Sequence, residues 1–534
     1  MKHLSSKMGW EIVEEKGPDS KARLFKNRPK TLVEMLKYTI DKYPNVVGFI
    51  CDKQKLTFKE FDQIVNKIAA GLKRCNVAKG DRVSLLLGNG LEYPLCFFAL
   101  MKLGAIAVPL NTRFKGEELS YEINDSGSKI LIVDQEYWPS IDSVRKDLRT
   151  VEKIFFNGPE LPKGVLPFSD LRENKEGSFQ RIDLDETDVA AITYTSGTTG
   201  KPKGAILCHR AFIATAMQVS DFIAYEPEDR IICVVPLFHV TGLGMIMLSH
   251  IFSGIPCVYV RTFKAKDFLE IMSSERITKS IGVIHIVWLM INHPDFNHYD
   301  FSSYKVALFG GSPATVEMVK GIMNKLPHLK ISVGYGLTES HGMCSTTPYE
   351  DAIRKIEAAG KMLPLVDARI VDEEGKELPP HSIGEILLKG ATITKGYWNN
   401  PEATQRTIVE GWLHTGDIGK LDDEGYLYIL DRKKDMINRG GEKIYSLEVE
   451  NIILRYSKVL EVAVVGVTDE FLGEAVKAAI ALRPGQTASE EEIKKFCSEH
   501  LADYKVPKYI EFLDSLPRNP AGKVIKGDLK YIKK

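Results

Sequence analysis

The stretch Tyr194-Thr-Ser-Gly-Thr-Thr-Gly-Lys-Pro-Lys-Gly204 decides how the chain is read. It overlaps Val189-Ala-Ala-Ile-Thr-Tyr-Thr195, a short apolar, β-branched run that predicts a buried strand. Glycines after such a strand let the backbone approach a ligand and aim successive N–H groups into one concavity, which favours anions. The hydroxyls and lysines add donors and charge suited to phosphate oxygens. A P-loop requires G-x-x-x-x-G-K-[ST], and here Pro202 follows Gly200-Lys201, which excludes it. The stretch predicts a phosphate ligand on a different fold.

On both sides of this stretch, strands alternate with helices. Thr31 and Thr57 precede the apolar stripes Leu32, Met35, Leu36, Ile40 and Phe58, Phe61, Val65, Ile68, Leu72, which step by three and four. Strands are expected at Arg82–Leu87, Ala105–Leu110, Ile231–Val235, Cys257–Val260, Ile281–His285 and Val306–Phe309. Helices are expected at Tyr93–Leu103, Leu243–Phe252 and Lys266–Glu275. That alternation implies parallel strands with crossover helices. Glu160–Glu186 has little periodicity and reads as a surface connection.

From Ala368 the texture changes to short strands with turns, at Ala368–Val371, Gly384–Leu388 and Tyr426–Ile429. After Asp431-Arg-Lys-Lys434 a compact unit begins, with strands at Glu461–Gly466 and Ala475–Leu482. The fold class expected is α/β. A large domain (1–431) holds two α/β subdomains and a small β-barrel-like one, and a smaller α/β domain (432–534) follows.

Composition supports a protein of at least two domains, with 44% hydrophobic and 27% charged residues. Lys+Arg of 71 against Asp+Glu of 71 gives no general affinity for nucleic acid. Eight scattered cysteines suggest reduced thiols. Met1–Trp10 lacks the apolar core of a signal peptide, Leu95–Leu110 is too short and interrupted to cross a bilayer, and Tyr531-Ile-Lys-Lys534 is no peroxisomal address. A cytoplasmic location is expected.

Further motifs carry chemistry. Pro236-Leu-Phe-His-Val-Thr-Gly242 puts His239 after a strand, where α/β folds bind ligands. Gly310-Gly-Ser312 and Gly334-Tyr-Gly-Leu-Thr-Glu339 also follow apolar strands, and their glycines admit a flat base beside the aromatic face of Tyr335. Glu339 is a hard oxygen ligand suited to Mg²⁺. In Gly411-Trp-Leu-His-Thr-Gly-Asp417 the aspartate is a natural acceptor for a vicinal diol.

Together these motifs resemble the AMP-forming adenylating enzymes, the superfamily of acyl-CoA synthetases, firefly-type luciferases and peptide-synthetase adenylation domains. The resemblance runs along essentially the whole chain. It implies that Thr195, Ser196, Gly197, Thr198, Thr199, Gly200 and Lys201 hold the β- and γ-phosphates of ATP. Gly311, Ser312, Gly334, Tyr335, Gly336, Leu337 and Thr338 would surround the adenine and α-phosphate, with Asp417 and Arg432 on the ribose. Glu339 and Thr195 would lie at the Mg²⁺, and His239 beside the acyl carboxylate.

By the same resemblance Lys434 is the hinge of a mobile small domain, and Gly440-Gly441 lines a CoA tunnel. Lys523, in Pro517-Arg-Asn-Pro-Ala-Gly-Lys523, is the catalytic lysine of acyl-adenylate formation. A lysine suits that role as a mobile point charge.

Three departures from the family pattern stand out. Asn438 replaces a lysine of the luciferase and coumarate-ligase branches, and Ser446 replaces a frequent proline. Gly282-Val-Ile-His-Ile286 lacks a common proline. Amino-acid-activating members of that superfamily usually carry an aspartate in this region for the substrate ammonium; none occurs here, so a simple carboxylic acid is expected, with medium-chain, alicyclic and aromatic acids all open. The reading is an ATP- and Mg²⁺-dependent acid:CoA ligase, with two rivals: an adenylation enzyme serving a carrier protein, and a nucleotide-binding regulator that has lost catalysis. Oligomeric state is not legible, and a homodimer stays open.

Overall fold

The structure is a computed structural model describing residues 3–16, 21–173, 182–195, 201–311, 314–518 and 524–531. Of the residues singled out above, 196–200, Ser312 and Lys523 lie outside the described residues.

The first subdomain is a seven-stranded sheet. Its order is Lys203–Cys208, Val189–Thr195, Ile106–Pro109, Arg82–Leu86, Ile130–Asp134, Lys153–Asn157 and Leu166–Pro167. All neighbours pair in parallel except Lys203–Cys208, which runs antiparallel to Val189–Thr195. The helix Glu92–Leu103 is buried nearly throughout, as its continuous apolar sequence dictates.

A second sheet begins with the edge strand Gln54–Thr57, antiparallel to Val47–Cys51, and runs on through the parallel strands Val47–Cys51, Cys257–Tyr259, Ile231–Cys233, Lys279–Gly282, Val306–Phe309 and Lys330–Leu337. It continues without a break into antiparallel strands, including Gly342–Thr346, Gly384–Gly390, Trp412–Leu421 and Tyr426–Arg432. The pairing changes from parallel to antiparallel at Gly334, within one sheet and ahead of the change in texture near residue 368.

Helix starts follow their caps. The Thr31 side chain accepts from Glu34 N, and Thr57 forms a full capping box with Glu60 at the head of Phe58–Arg74.

Three expectations need correction. The strand expected at Ile281–His285 ends at Gly282, where its partner strand ends at Phe309, and Ile284–Ile291 is a helix instead. Its buried residues Ile284, Val287, Met290 and Ile291 follow helical spacing, which outweighs the β-branched composition. The helix expected at Leu243–Phe252 opens as a π-helix over Thr241–Met247, with α-helix only over Leu248–Ser253. In Glu160–Glu186, Phe168 and Leu171 are buried, and Leu171 packs so closely on Gly71 that a Cβ there would lie 2.5 Å from its carbonyl oxygen.

The smaller C-terminal domain is a five-stranded sheet of Glu442–Ile444, Ile437–Arg439, Gly473–Leu482, Val459–Asp469 and Tyr509–Phe512. The helices Ser446–Ile453 and Glu490–Ser498 accompany it. All eight cysteines are free thiols. Among the described residues no helix is long and apolar enough to cross a membrane.

Three histidines are locked in the interior as neutral rings. Burial holds His209 down to about 4 and His250 and His341 down to about 3. Between those values and about 6.5 the unfolded chain binds protons that the folded chain does not, so stability falls as pH drops through that window. Each group costs up to about 1.4 kcal/mol per pH unit there. Urea unfolding at pH 7 and pH 5 should show the loss, and His341→Gln should reduce its slope. An unchanged slope would mean that His341 is not held neutral.

Candidate active site

The phosphate-loop stretch closes a hairpin. Thr195 stands opposite Lys203 in the antiparallel pair. The helix Gly116–Ser126 fixes both ends: the Tyr194 hydroxyl donates to Asp125 Oδ2 at 2.6 Å, and the Tyr121 hydroxyl donates to the Pro202 carbonyl at 3.1 Å. Two lysines flank the loop. Lys201 Nζ lies 5.3 Å from the Tyr121 ring centre, and Lys203 Nζ lies 5.2 Å from that of Tyr397.

The strand Lys330–Leu337 supplies the next motif. A bulge falls between Tyr335 and Gly336, where a Cβ on Gly336 would sit 1.9 Å from the Gly342 carbonyl oxygen. Only glycine fits. The Tyr335 hydroxyl donates to Asp417 Oδ2 at 2.5 Å, and Arg432 Nε, directly across the strand pair, lies 3.1 Å from Oδ1. Burial and then the Asp417 charge push the Tyr335 phenol well up, so it remains a donor. Asp417 itself is buried, with a side chain 5% exposed. Tyr335, Asp417 and Arg432 are thus joined as one unit.

Glu339 sits in the short 3₁₀ turn Thr338–Ser340. Its carbonyl accepts from Thr394 N at 2.7 Å, and its Oε1 accepts from the Tyr397 hydroxyl at 2.9 Å. Burial, then the nearby Glu339, raises the Tyr397 phenol and keeps its proton in place. The same segment is stitched to the phosphate-loop hairpin, since Trp398 N donates to the Gly204 carbonyl at 2.7 Å and Ile206 N to that of Gly396 at 2.9 Å. Glu339 is thereby tied to the loop through Lys395–Trp398.

Sequence reasoning missed Tyr397 and two other positioning residues. His341, at φ 57°, accepts from Cys208 N through Nε2 at 3.1 Å and donates from Nδ1 to the Thr392 carbonyl at 2.7 Å. That pairing fixes its tautomer, and protonating Nε2 would set two donors against each other. Asn89 grips both sides of Pro236, donating to the Val235 carbonyl at 3.0 Å and accepting from Leu237 N at 2.9 Å. Its position in Gly88-Asn-Gly90, just after a strand, was the available signal.

Asn89 thus clamps the turn that carries His239. The histidine is half-buried against the Phe238 ring at 4.6 Å, and its carbonyl accepts from Leu243 N at 2.8 Å as the π-helix begins. Gly310 packs 3.1 Å (as a built Cβ) from the Gly334 carbonyl oxygen, and Gly311 has φ 76°. These two strand ends meet.

Lys434 is exposed in the turn leaving Arg432. Gly440 and Gly441, at φ 61° and 97°, form the two-residue turn between Ile437–Arg439 and Glu442–Ile444. Asn438 Oδ1 accepts from Gly441 N at 3.0 Å, which is what this departure from lysine does locally. Gly440 N donates to the Leu472 carbonyl, so the glycine pair joins the exposed Phe471-Leu472 turn and not the nucleotide motifs.

Residues 36–398 match the AMP-binding enzyme family, and residues 448–523 match the AMP-binding enzyme C-terminal domain. The chain is 35% identical to the long-chain-fatty-acid–CoA ligase FadD13 of Mycobacterium tuberculosis, over 89% of this chain and 93% of that one. It is 32% identical to 4-coumarate-CoA ligase 1 of Narcissus pseudonarcissus, over 89% and 88%. It is also 32% identical to the fatty acid–[acyl-carrier-protein] ligase ScoC of Streptomyces coeruleorubidus, over 95% and 97%.

Among solved structures, the anthranilate CoA ligase AuaEII with anthranoyl-AMP superposes with a TM-score of 0.87 at 29% identity, covering 93% of this chain and 96% of that one. The o-succinylbenzoate CoA synthetase of Bacillus subtilis, with ATP and magnesium, gives 0.82 at 30% identity, covering 93% and 99%. The chain belongs to the AMP-binding enzyme family, within its AMP-forming acyl-CoA ligases.

The residues present fit a magnesium ion. Among the described residues no cluster of three His, Cys, Asp or Glu side chains could cage a metal, and Glu339 stands as a single carboxylate beside the loop hairpin. Mg²⁺ takes one or two protein carboxylates and completes its shell with water and substrate phosphates. Because Tyr397 orients that carboxylate, Tyr397→Phe should raise the Mg²⁺ needed for half-maximal activity by about tenfold or more. A Mg²⁺ titration at fixed ATP measures this, and an unchanged midpoint would remove Glu339 from the metal site.

Proposed function

We propose that this protein is an ATP-dependent carboxylic acid:CoA ligase acting in two half-reactions. The acid's carboxylate attacks the α-phosphate of ATP in line, giving an acyl-adenylate and pyrophosphate. The CoA thiol then attacks the acyl carbon and AMP leaves. The observation that best supports this is the joined unit of Tyr335, Asp417 and Arg432. Its buried carboxylate is a fixed acceptor for the two ribose hydroxyls, next to a phenol ring that can face adenine.

Each group has a role in this reading. Ser196, Gly197, Thr198, Thr199, Gly200 and Lys201 bind the leaving pyrophosphate, while Gly311, Ser312, Gly334, Gly336, Leu337 and Thr338 shape the nucleotide cleft. Thr195 and Glu339 hold Mg²⁺, which neutralises charge on the phosphates. His239 flanks the acid. Lys523 supplies positive charge where negative charge accumulates during adenylation. The division falls at 431/432, with Lys434 as the hinge, and the Gly440-Gly441 turn borders the thiol's path.

The acid is read as medium-chain, alicyclic or aromatic. The coumarate ligase and the anthranilate ligase are named for aromatic acids and FadD13 for a long-chain fatty acid, and Pro236–Gly242 carries no anion for an ammonium group. Loading of a carrier protein is the second reading, favoured by the match to ScoC. Cytoplasmic location agrees with eight free thiols. Incubating a panel of acids with ATP and either CoA or a phosphopantetheinyl carrier protein, then scoring AMP release and thioester mass, separates these. Thioester with CoA alone supports the ligase, and thioester with only the carrier protein overturns it.

Lys523→Ala should slow acyl-adenylate formation by about 10²–10³, roughly 3–4 kcal/mol, the scale of losing one preorganised charge. Single-turnover thioester formation from synthetic acyl-adenylate and CoA should stay near the wild-type rate. Equal slowing of both steps would contradict the assignment.

A further inference from the structure

Just beyond the phosphate and ribose motifs, the structure buries a charged cluster that none of the roles above uses. Asp431 is the next-to-last residue of the strand Tyr426–Arg432, and its Oδ2 accepts from Ser446 N at 2.5 Å. Ser446 is the first residue of the small domain's helix Ser446–Ile453. Its hydroxyl accepts from Lys526 Nζ at 2.5 Å, and Lys526 also pairs with Glu450 Oε1 at 2.8 Å. The side chains of Lys526 and Glu450 are only 20% and 10% exposed.

The cluster spans the hinge. Asp431 precedes Lys434, whereas Ser446, Glu450 and Lys526 follow it, so any rotation about Lys434 must part the Asp431 carboxylate from Ser446 N. Lys526 follows directly on the hairpin ends that bracket 519–523. There Arg518 and Val524 form an antiparallel bridge, and Ile525 N donates to the Pro517 carbonyl at 2.8 Å. Those ends face the large domain, because the charges of Arg518 and Glu461 reach the half-buried His285 ring.

Charge favours the arrangement as well. Burial opposes the Lys526 ammonium, but Glu450 and then Asp431 more than offset it and raise its pKa. Burial in turn pushes both carboxylates up, against the pull of Lys526. A buried carboxylate that lost its N–H and cation partners would gain by reaching water, which makes the contact two-state.

We propose that Ser446 and Lys526 are positioning residues which latch the small domain, through Asp431, in the orientation that presents the terminal Pro517–Lys523 motif for adenylation. The latch opens for the thioester step, and this part rests on the two-step reading above. It also explains Ser446. A proline there has no N–H to offer Asp431, whereas serine supplies both the N–H and an acceptor for Lys526.

Ser446→Pro tests this with little risk to folding. Position 446 is the first of its helix, where proline is favoured, and Tyr445 before it is already extended at φ −90°, ψ 119°. The first readout needs no substrate: trypsin cleavage after Arg432, Lys433 or Lys434 in the apo enzyme, followed by mass spectrometry. Ser446→Pro and Lys526→Met should be cut there several-fold faster than wild type, and Ser446→Ala, which keeps the N–H, less so.

The second readout is single-turnover acyl-adenylate formation, expected to fall about tenfold in Ser446→Pro, while thioester formation from acyl-adenylate and CoA holds or rises. Wild-type cleavage together with unchanged adenylation would overturn the latch, as would equal slowing of both half-reactions. Wild-type enzyme that adenylates acids but makes no thioester would overturn the ligase reading instead, leaving the cleavage comparison to decide the latch.

Discussion

One strand carries the constraint from which the active-site crevice follows. Lys330–Leu337 runs parallel to Val306–Phe309 through Val333, then from Gly334 pairs antiparallel with Gly342–Thr346. The switch brings the carboxyl ends of the parallel strands, where α/β folds bind ligands, against the antiparallel strands that bear Asp417 and Arg432. Gly334 and Gly336 make it sterically feasible. A Cβ on the first would lie 2.9 Å from the Ser345 carbonyl oxygen, and one on the second would collide with Gly342. Fold and site are inseparable at this point.

Around that switch, phenols hold carboxylates in place. Tyr335 does so for Asp417, Tyr397 for Glu339 and Tyr194 for Asp125. Each phenol's pKa is raised, with burial as the first cause, so each stays a donor across the physiological range. A neutral donor orients an anion without cancelling it. This suits the ribose and cation roles proposed for Asp417 and Glu339. Positive charge sits at the periphery, on Lys201, Lys203 and the small domain, where it can meet phosphate.

Much of this was legible in the sequence, and the limits have physical causes. The strand Val189–Thr195 and the strand Val306–Phe309 fall where their apolar runs begin and end, and Thr31 and Thr57 cap the helices they precede. Ile281–His285 misled because a short apolar, β-branched run fits either a strand or a buried helix, and only packing decides. Tyr397, His341 and Asn89 stayed hidden because each acts on a partner 58 to 148 residues away, a proximity that only the folded sheets create. Ser446 was visible as a departure, yet its meaning depends on Asp431 across the hinge.

The central claim is that this crevice joins an acid to AMP, reversibly, before any thiol is involved. Exchange of labelled pyrophosphate into ATP, followed with purified protein in the absence of CoA, tests it most directly. The account predicts exchange that appears only when a suitable acid is added and disappears in Asp417→Ala. ATP turnover to ADP and phosphate, or exchange indifferent to the acid, would contradict it.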